Sequence, residues 1–281
     1  MASVEKQVRS LFGKLDHQLT KLAAKPSPTS VHRFRTSGRR LEVALTELAP
    51  APSRSTRKLL KLLSRLRKKA GRVRDLDVQI TLLRGLKMPE GARHKSQLLH
   101  ALLEDRAQRE KKVMQAFDRE TVRELRKRLK RTAAHFQIDE NAAWTQARNL
   151  VTKLELQSEP LTEKVLHRYR IAGKRARYLA ELSDANPESQ LLVDELKRMQ
   201  DALGEWHDWL KLTQRAENLF GGAPGSPLVS ALRNLTRARF RFAALALTEA
   251  RSALSSKKPA ELDRTLHRPQ PAPVSATAAA A

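Results

Sequence analysis

Two short runs of this chain set histidine, arginine and lysine at spacings that a helix turns to one side. His32, Arg35 and Arg39 stand at i, i+3 and i+7. His167, Arg170 and Lys174 repeat the pattern, with Arg177 one turn further on. Residues three and four apart are neighbours on a helix surface, where like charges repel. Guanidinium forks and ammonium groups in such a row suit phosphate oxygens rather than bond-making chemistry. Carboxylates that would neutralise the row are scarce: Glu42 follows the first stripe and Glu181 lies off the second. A repeated, unneutralised basic stripe is best explained by a bound polyanion.

Catalysis on phosphoanhydrides asks for other residues: clustered carboxylates for a metal, or a glycine loop with its lysine around the phosphates. Asp75 and Asp77 are too few for the first, and Gly221-Gly222 lacks the motif of the second. No catalytic residue, metal or cofactor is therefore expected, and the reading is of a non-enzyme. Asp75 and Asp208 are expected either to orient a basic side chain or to cap a helix. With no cysteine, disulfides and thiolate metal sites are excluded.

Composition points to the same class of partner. The 281 residues carry 55 Lys+Arg against 30 Asp+Glu, a formal charge of +25. Such an imbalance calls for nucleic acid, an anionic surface or polyphosphate. Aromatics are only 4% of residues and none interleaves with the stripes. Single-strand nucleic-acid binding uses stacking platforms, so nucleic acid is the less favoured partner, leaving general polyanion or duplex-backbone binding as the alternative. No apolar run approaches the length of a bilayer span, and the start has no apolar signal core. The expectation is a soluble, cytoplasmic protein with no membrane partner.

The elements that position the stripes are helices. Leu, Ala, Arg, Lys, Glu and Gln dominate, apolar residues recur at three and four, and strict alternation is almost absent, which makes the fold all-α. Proline and glycine divide the chain. Helices are expected over about 3–24 and 29–48, then 54–70 with Gly71 as a bend into 72–86. Pro89 to Gly91 opens a helical region to about 135, broken near Asp118. Further helices cover about 139–156, 161–183 and 188–203, with Gly204 bending the chain as Gly71 does. A Gly/Pro loop from Gly221 to Pro227 precedes the last helix, about 228–254. Residues 257–281, rich in Ala and Pro, read as a disordered tail.

On α-helical geometry Val31, Phe34, Gly38, Leu41, Leu45 and Leu48 share one face, and the first stripe runs beside that face, not opposite it. Long basic side chains at such a lip bury their stems and present charged heads to a groove. Arg67 and Arg74 flank the apolar stripe of the next helix, whereas Lys61, Arg65, Lys68 and Arg72 fall on its opposite side as ordinary solvated charge. Gly38 and Gly173, mid-helix, imply close approach by another helix.

The most informative pattern is internal repetition. Residues 31–40 align with 166–175 at five identities in ten, and Leu66 to Asp75 aligns with Met199 to Asp208. The repeats cover about 28–135 and 161–254. With their doubled His-x-x-Arg-x-x-x-Arg/Lys-Arg motif, each followed by a glycine element ending in Arg74-Asp75 or His207-Asp208, they resemble the CHAD family of histidine-bearing α-helical domains. The resemblance covers about residues 4–254, within a domain taken as 1–256.

The resemblance implies two pseudo-symmetric four-helix bundles forming one helical domain, with a basic central cavity that binds inorganic polyphosphate, and no catalysis. Members are commonly found at polyphosphate granules, which extends the localisation expected here. Carried over by position, the implied contacts are His32, Arg35, Arg39, Arg40 and Arg74, then His167, Arg170, Lys174, Arg175, Arg177 and Lys197. The first-half counterpart of Lys197 is Ser64. No fused triphosphate-processing segment with alternating glutamates is present, so a stand-alone domain is expected.

Overall fold

Helices begin where a short polar side chain can satisfy the first free backbone N–H groups. Ser3 accepts from the Lys6 amide, Ser53 from Thr56, Asp118 from Thr121 and Thr162 from Val165. Ser27 and Ser30 form a reciprocal capping box. The elements are α1 (Val4–Ala24), α2 (Pro28–Glu47), α3 (Arg54–Gly85), α4 (Ala92–Ala116), α5 (Arg119–Ala134), α6 (Ala142–Glu155), α7 (Glu163–Ala180), α8 (Pro187–Phe220) and α9 (Pro227–Ser255).

The computed structural model describes residues 3–49, 52–88, 92–139, 142–155, 160–183, 187–221 and 226–255, and among them every element is an α-helix. The all-α expectation holds there, as does the break at Asp118. Pro50, the opening at 89–91, Leu156, the centre of the Gly/Pro loop at 222–225 and the tail at 257–281 lie outside the described residues.

The bends expected at Gly71 and Gly204 do not occur. α3 is one helix of 32 residues and α8 one of 34. A glycine inside a helix costs about 1 kcal/mol, which is too little to stop one whose apolar stripe continues in phase. On α3 the buried row Leu59, Leu63, Leu66, Ala70, Val73, Leu76, Ile80 and Leu83 runs straight through Gly71. On α8 Leu196, Met199, Leu203, Trp206 and Trp209 do the same past Gly204.

α2 lies between α1 and α3, and α5 packs on α1 and α3. α7 lies between α6 and α8, and α8 runs along α9. The two groups meet where α2 touches α7 and α3 touches α8. One hydrophobic core passes through both groups, with Phe34, Leu63, Tyr169 and Trp206 fully buried. A second joins the C-terminal half of α3 and α4 to α8 and α9 through Leu83, Leu98, Leu102, Leu212, Leu228 and Leu232. Burying each such side chain contributes about 1.5–3 kcal/mol.

The two mid-helix glycines sit at close crossings, as their positions imply. A Cβ on Gly38 would lie 3.3 Å from Leu63 of α3, and one on Gly173 would lie 2.5 Å from Met199 of α8. These crossings set the distance of α2 from α3 and of α7 from α8.

Gly204 faces no atom within 4 Å of where a Cβ would be. Gly204→Ala therefore raises unfolding stability by about 0.5–1 kcal/mol through helix propensity alone. Chemical denaturation measures it, and a loss of stability would show that the glycine serves a packing role.

Candidate functional site

The expected basic stripes lie on α2 and α7, and the crossing of these helices with α3 and α8 turns the stripes toward each other. They enclose a cavity of about 270 Å³. From α2 it is lined by His32, Arg35 and Arg39, from α3 by Arg67, Arg74 and Asp75, from α7 by Arg170, Lys174 and Arg175, and from α8 by Asp208. At about 30 Å³ per water in the liquid, the space has room for several small groups.

The cations differ in how far they are neutralised. Arg67 is committed: its Nε donates to Glu42 at 2.7 Å, with both side chains near 10% exposed. Burial pushes the Glu42 carboxyl up, and the guanidinium of Arg67 works against that. Arg35 has only a long interaction of 3.4 Å with Asp75. Arg175 bonds Glu47. Arg39, Arg74, Arg170 and Lys174 have no ion-pair partner among the described residues.

The titrating groups record the resulting repulsion. Burial draws Lys174 from 10.5 down to about 8, with Arg170, Arg177 and Arg35 adding repulsion against the partial offset of Asp208. Burial also lowers His32, and Arg74, Arg35 and Lys174 lower it further. Arg35 and Arg39 fall for the same first reason, burial. Asp208 is pushed up by burial and by Asp75, against the pull of Arg170.

Gly71 faces the site. A Cβ there would lie 3.5–3.6 Å from three atoms of the Arg35 guanidinium, in ordinary van der Waals contact. This glycine, expected to bend the chain, instead lies within an unbroken helix beside Arg35. Asp75 and Asp208, inside α3 and α8, cap neither helix, and Asp75 orients Arg35 as the alternative reading had it.

Of the eleven basic residues carried over by position, seven line this cavity: His32, Arg35, Arg39, Arg74, Arg170, Lys174 and Arg175. Arg40 and Arg177 instead bracket the Tyr178 ring, with their guanidinium carbons 5.5 and 5.3 Å from its centroid, and both pair with Glu181. Arg40 and Arg175 are counterparts in the repeat, and their bonds to Glu181 and Glu47 link α2 to α7 in both directions. His167 stacks beside His207, ring centroids 5.3 Å apart, outside the cavity lining. Burial first, then Arg170 and His167, hold His207 at about 3, so it stays neutral at ordinary pH. Lys197 is exposed on α8 and does not line the cavity.

Sequence reasoning left Arg67 out of the site. Its signal was its spacing of seven from Arg74 on the flank of the α3 apolar row. The outer residues Lys61, Arg65, Lys68 and Arg72, read as ordinary solvated charge, line a groove of their own between α3 and α5. No helix is long and apolar enough to cross a membrane, and no group of three or more metal-ligating side chains occurs, among the described residues.

A family model for the CHAD domain matches residues 6–217. The crystal structure of the CHAD domain from the plant Ricinus communis is similar at a TM-score of 0.65, with 20% sequence identity, covering 92% of this chain and 93% of that one. That likeness bears on the fold alone. No curated protein matches the chain in sequence.

A lysine whose folded pKa is lowered carries a penalty that is full below about pH 8 and vanishes as pH rises past its ordinary value. Lys174→Met removes the charge and keeps much of the bulk. It stabilises the unliganded protein at pH 7 by about 1–3 kcal/mol, and the gain shrinks toward pH 10. Denaturant midpoints at both pH values measure this, and destabilisation at pH 7 would show that Asp208 neutralises the ammonium.

Proposed function

Because the chain belongs to the CHAD domain family, we propose that it binds inorganic polyphosphate, without catalysis, in the cavity between α2, α3, α7 and α8. The observation that carries the reading is a set of four cations, Arg39, Arg74, Arg170 and Lys174, that have no ion-pair partner among the described residues and converge on one partly enclosed space. Arg74, Arg170 and Lys174 are half-buried, and a charge drawn out of water without a partner is costly. A ligand that supplies several negative oxygens close together removes that cost.

Polyphosphate suits the space better than nucleic acid does. It has a charge on each unit, no bases to accommodate and a thickness of one phosphate. The guanidinium forks of Arg39, Arg74 and Arg170 bind pairs of oxygens on successive units, and Lys174 acts as a point charge between them. Arg67, Arg40 and Arg177, each held by a carboxylate, keep the walls in place. The lining carboxylates are Asp75 and Asp208, and each lies beside cations, with no third ligand to hold a metal among the described residues. The bound polymer therefore leaves at the length at which it entered. A protein of this kind gathers where the polymer condenses, and polyphosphate granules are its proposed location.

Arg35→Ala with Arg39→Ala, or Arg170→Ala with Lys174→Ala, should weaken polyphosphate binding about a hundred-fold or more, at about 1.5–3 kcal/mol per charge-assisted hydrogen bond. Lys14→Ala with Lys21→Ala on the exposed side of α1 removes the same charge and should cost little beyond a long-range term screened within about 10 Å. Titration calorimetry at two salt concentrations separates them, with duplex DNA as competitor at equal phosphate concentration. Equal losses in all three variants, effective competition by DNA or shortening of the recovered polymer would overturn the reading.

Binding also takes up protons, because a polyanion favours the charged forms of groups that burial and repulsion have lowered. Affinity should fall as pH rises from about 8, the free value of Lys174, by up to about ten-fold per unit. Lys174→Arg should flatten that stretch. A second gain on acidification, below the ordinary 6.5 of histidine, belongs to His32. An affinity independent of pH between 7 and 10 would exclude Lys174 from the site of binding.

A further inference from the structure

The outer side of α3 carries a second basic surface. Between α3 and α5 runs a groove in two continuous stretches of about 400 and 680 Å³, which share Lys58 and Arg128. Five basic side chains line the first stretch and five more the second. Among the described residues one carboxylate, Glu124, lines it, and it is already bonded to Arg128 at 2.6 Å. Arg128 also donates to the Lys58 carbonyl at 2.9 Å and so ties α5 to α3 at the junction of the two stretches. Lys58, Lys61, Lys68 and Arg72 are exposed and have no ion-pair partner among the described residues. From Arg54 to Arg72 the row is about 27 Å long at helical rise.

The repeat makes this charge informative. At the offset that aligns Asp75 with Asp208, the counterparts of Lys61, Lys68 and Arg72 are Asp194, Asp201 and Glu205. The two halves share the inward stripe but have opposite charge at these three outer positions of their long helix, although Arg65 is matched by Arg198. Net charge for solubility would not require such a division. A long basic row concentrated on one half, against its own helix-pairing cost, answers to a ligand at that place.

We infer that the α3–α5 groove is a second track for linear polyphosphate, so that a long chain is held at the cavity and along the groove of one molecule. The inference rests on the proposed function for the identity of the polymer. The shape and the lining both favour this occupant. Packed helices leave a surface cleft above their touching side chains, and this one, walled by Lys58 and Lys61 of α3 and Arg128 and Arg131 of α5, suits a slender chain. Single-stranded nucleic acid would want aromatic platforms, and the lining residues include none. Lysine predominates over arginine in the second stretch, which gives adaptable point charges in place of fixed bidentate sites. The groove accordingly contributes length-dependent avidity, and the enclosed cavity supplies the tight site.

The test uses the full chain with short-chain and long-chain polyphosphate. The wild type should bind short chains at a tight and a weak site, and long chains more tightly than either. Lys58→Ala with Lys61→Ala and Lys68→Ala should keep the tight short-chain site, lose the weak one and bind long chains about ten-fold more weakly. Its salt dependence with long chains should be shallower by about 0.7 for each phosphate that the groove no longer holds. Lys61→Gln with Lys68→Gln is a milder pair should the triple variant unfold. Unchanged long-chain affinity and salt slope in the groove variant would overturn the inference, as would displacement of the weak-site ligand by duplex DNA. So would self-association at low salt that the groove variant abolishes, which would make a second copy's acidic α8 face the occupant. Failure of the cavity reading looks different: the tight short-chain site would then survive Arg170→Ala with Lys174→Ala.

Discussion

Like charges held together in a partly enclosed space are the constraint on which this molecule turns. Arg35, Arg39 and His32 on one side face Arg170 and Lys174 on the other, with Arg74 between them. Burial deprives these groups of water, and proximity makes each oppose its neighbours' charge, so Lys174, His32, Arg35 and Arg39 all move in the same direction. Left to itself, such an arrangement would push α2 and α7 apart. It persists because the apolar faces of the same helices are buried in a core that runs through both groups of helices.

Carboxylates at the ends of α2 and α7 complete the arrangement by selective neutralisation. Glu47 takes Arg175, and Glu181 takes Arg40 and Arg177. The Arg175–Glu47 and Arg40–Glu181 pairs cross from one helix to the other and hold the walls of the cavity together. Glu42, one turn from Arg39, is absorbed by Arg67 of α3 instead. Glu42, Glu47 and Glu181 thus brace the walls, while the two carboxylates that line the cavity, Asp75 and Asp208, offset its cations only in part. A binding site for an anion needs both conditions: walls that do not yield to repulsion, and positive charge in excess of what the lining carboxylates offset.

The two repeats supply different halves to this site. Arg74 lines the cavity, while its counterpart His207 is half-buried, neutral and stacked with His167. Gly71 lies beside a guanidinium, while Gly204 faces open space. Lys61, Lys68 and Arg72 on the outer face of α3 have the acidic counterparts Asp194, Asp201 and Glu205 on α8. A duplicated helical unit therefore works as an asymmetric device, with α3 the element that presents cations to the cavity on one side and to the α5 groove on the other. An unbroken α3 is what sets both surfaces on one rigid rod.

Local periodicity and capping chemistry belong to the sequence, and they determined the helices, the break at Asp118 and the basic lip on α2 and α7. A row at i, i+3 and i+7 has only one side to occupy once the helix forms. The repeat likewise established that two such lips exist. Tertiary structure alone decided which of the cations are free. Arg39 and Arg40 are adjacent, as are Lys174 and Arg175, and nothing in their types separates a partnerless charge from a crosslink. The carboxylates that separate them come from another helix, about 130–140 residues away in the chain for Arg175–Glu47 and Arg40–Glu181. The same holds for Gly71, whose type suggests a bend until Arg35 is seen lying against it, and for the outer face of α3, whose lysines become a groove only when α5 packs beside them. Periodicity is a property of neighbours along the chain, whereas neutralisation and enclosure depend on which distant elements arrive, and that is settled by packing.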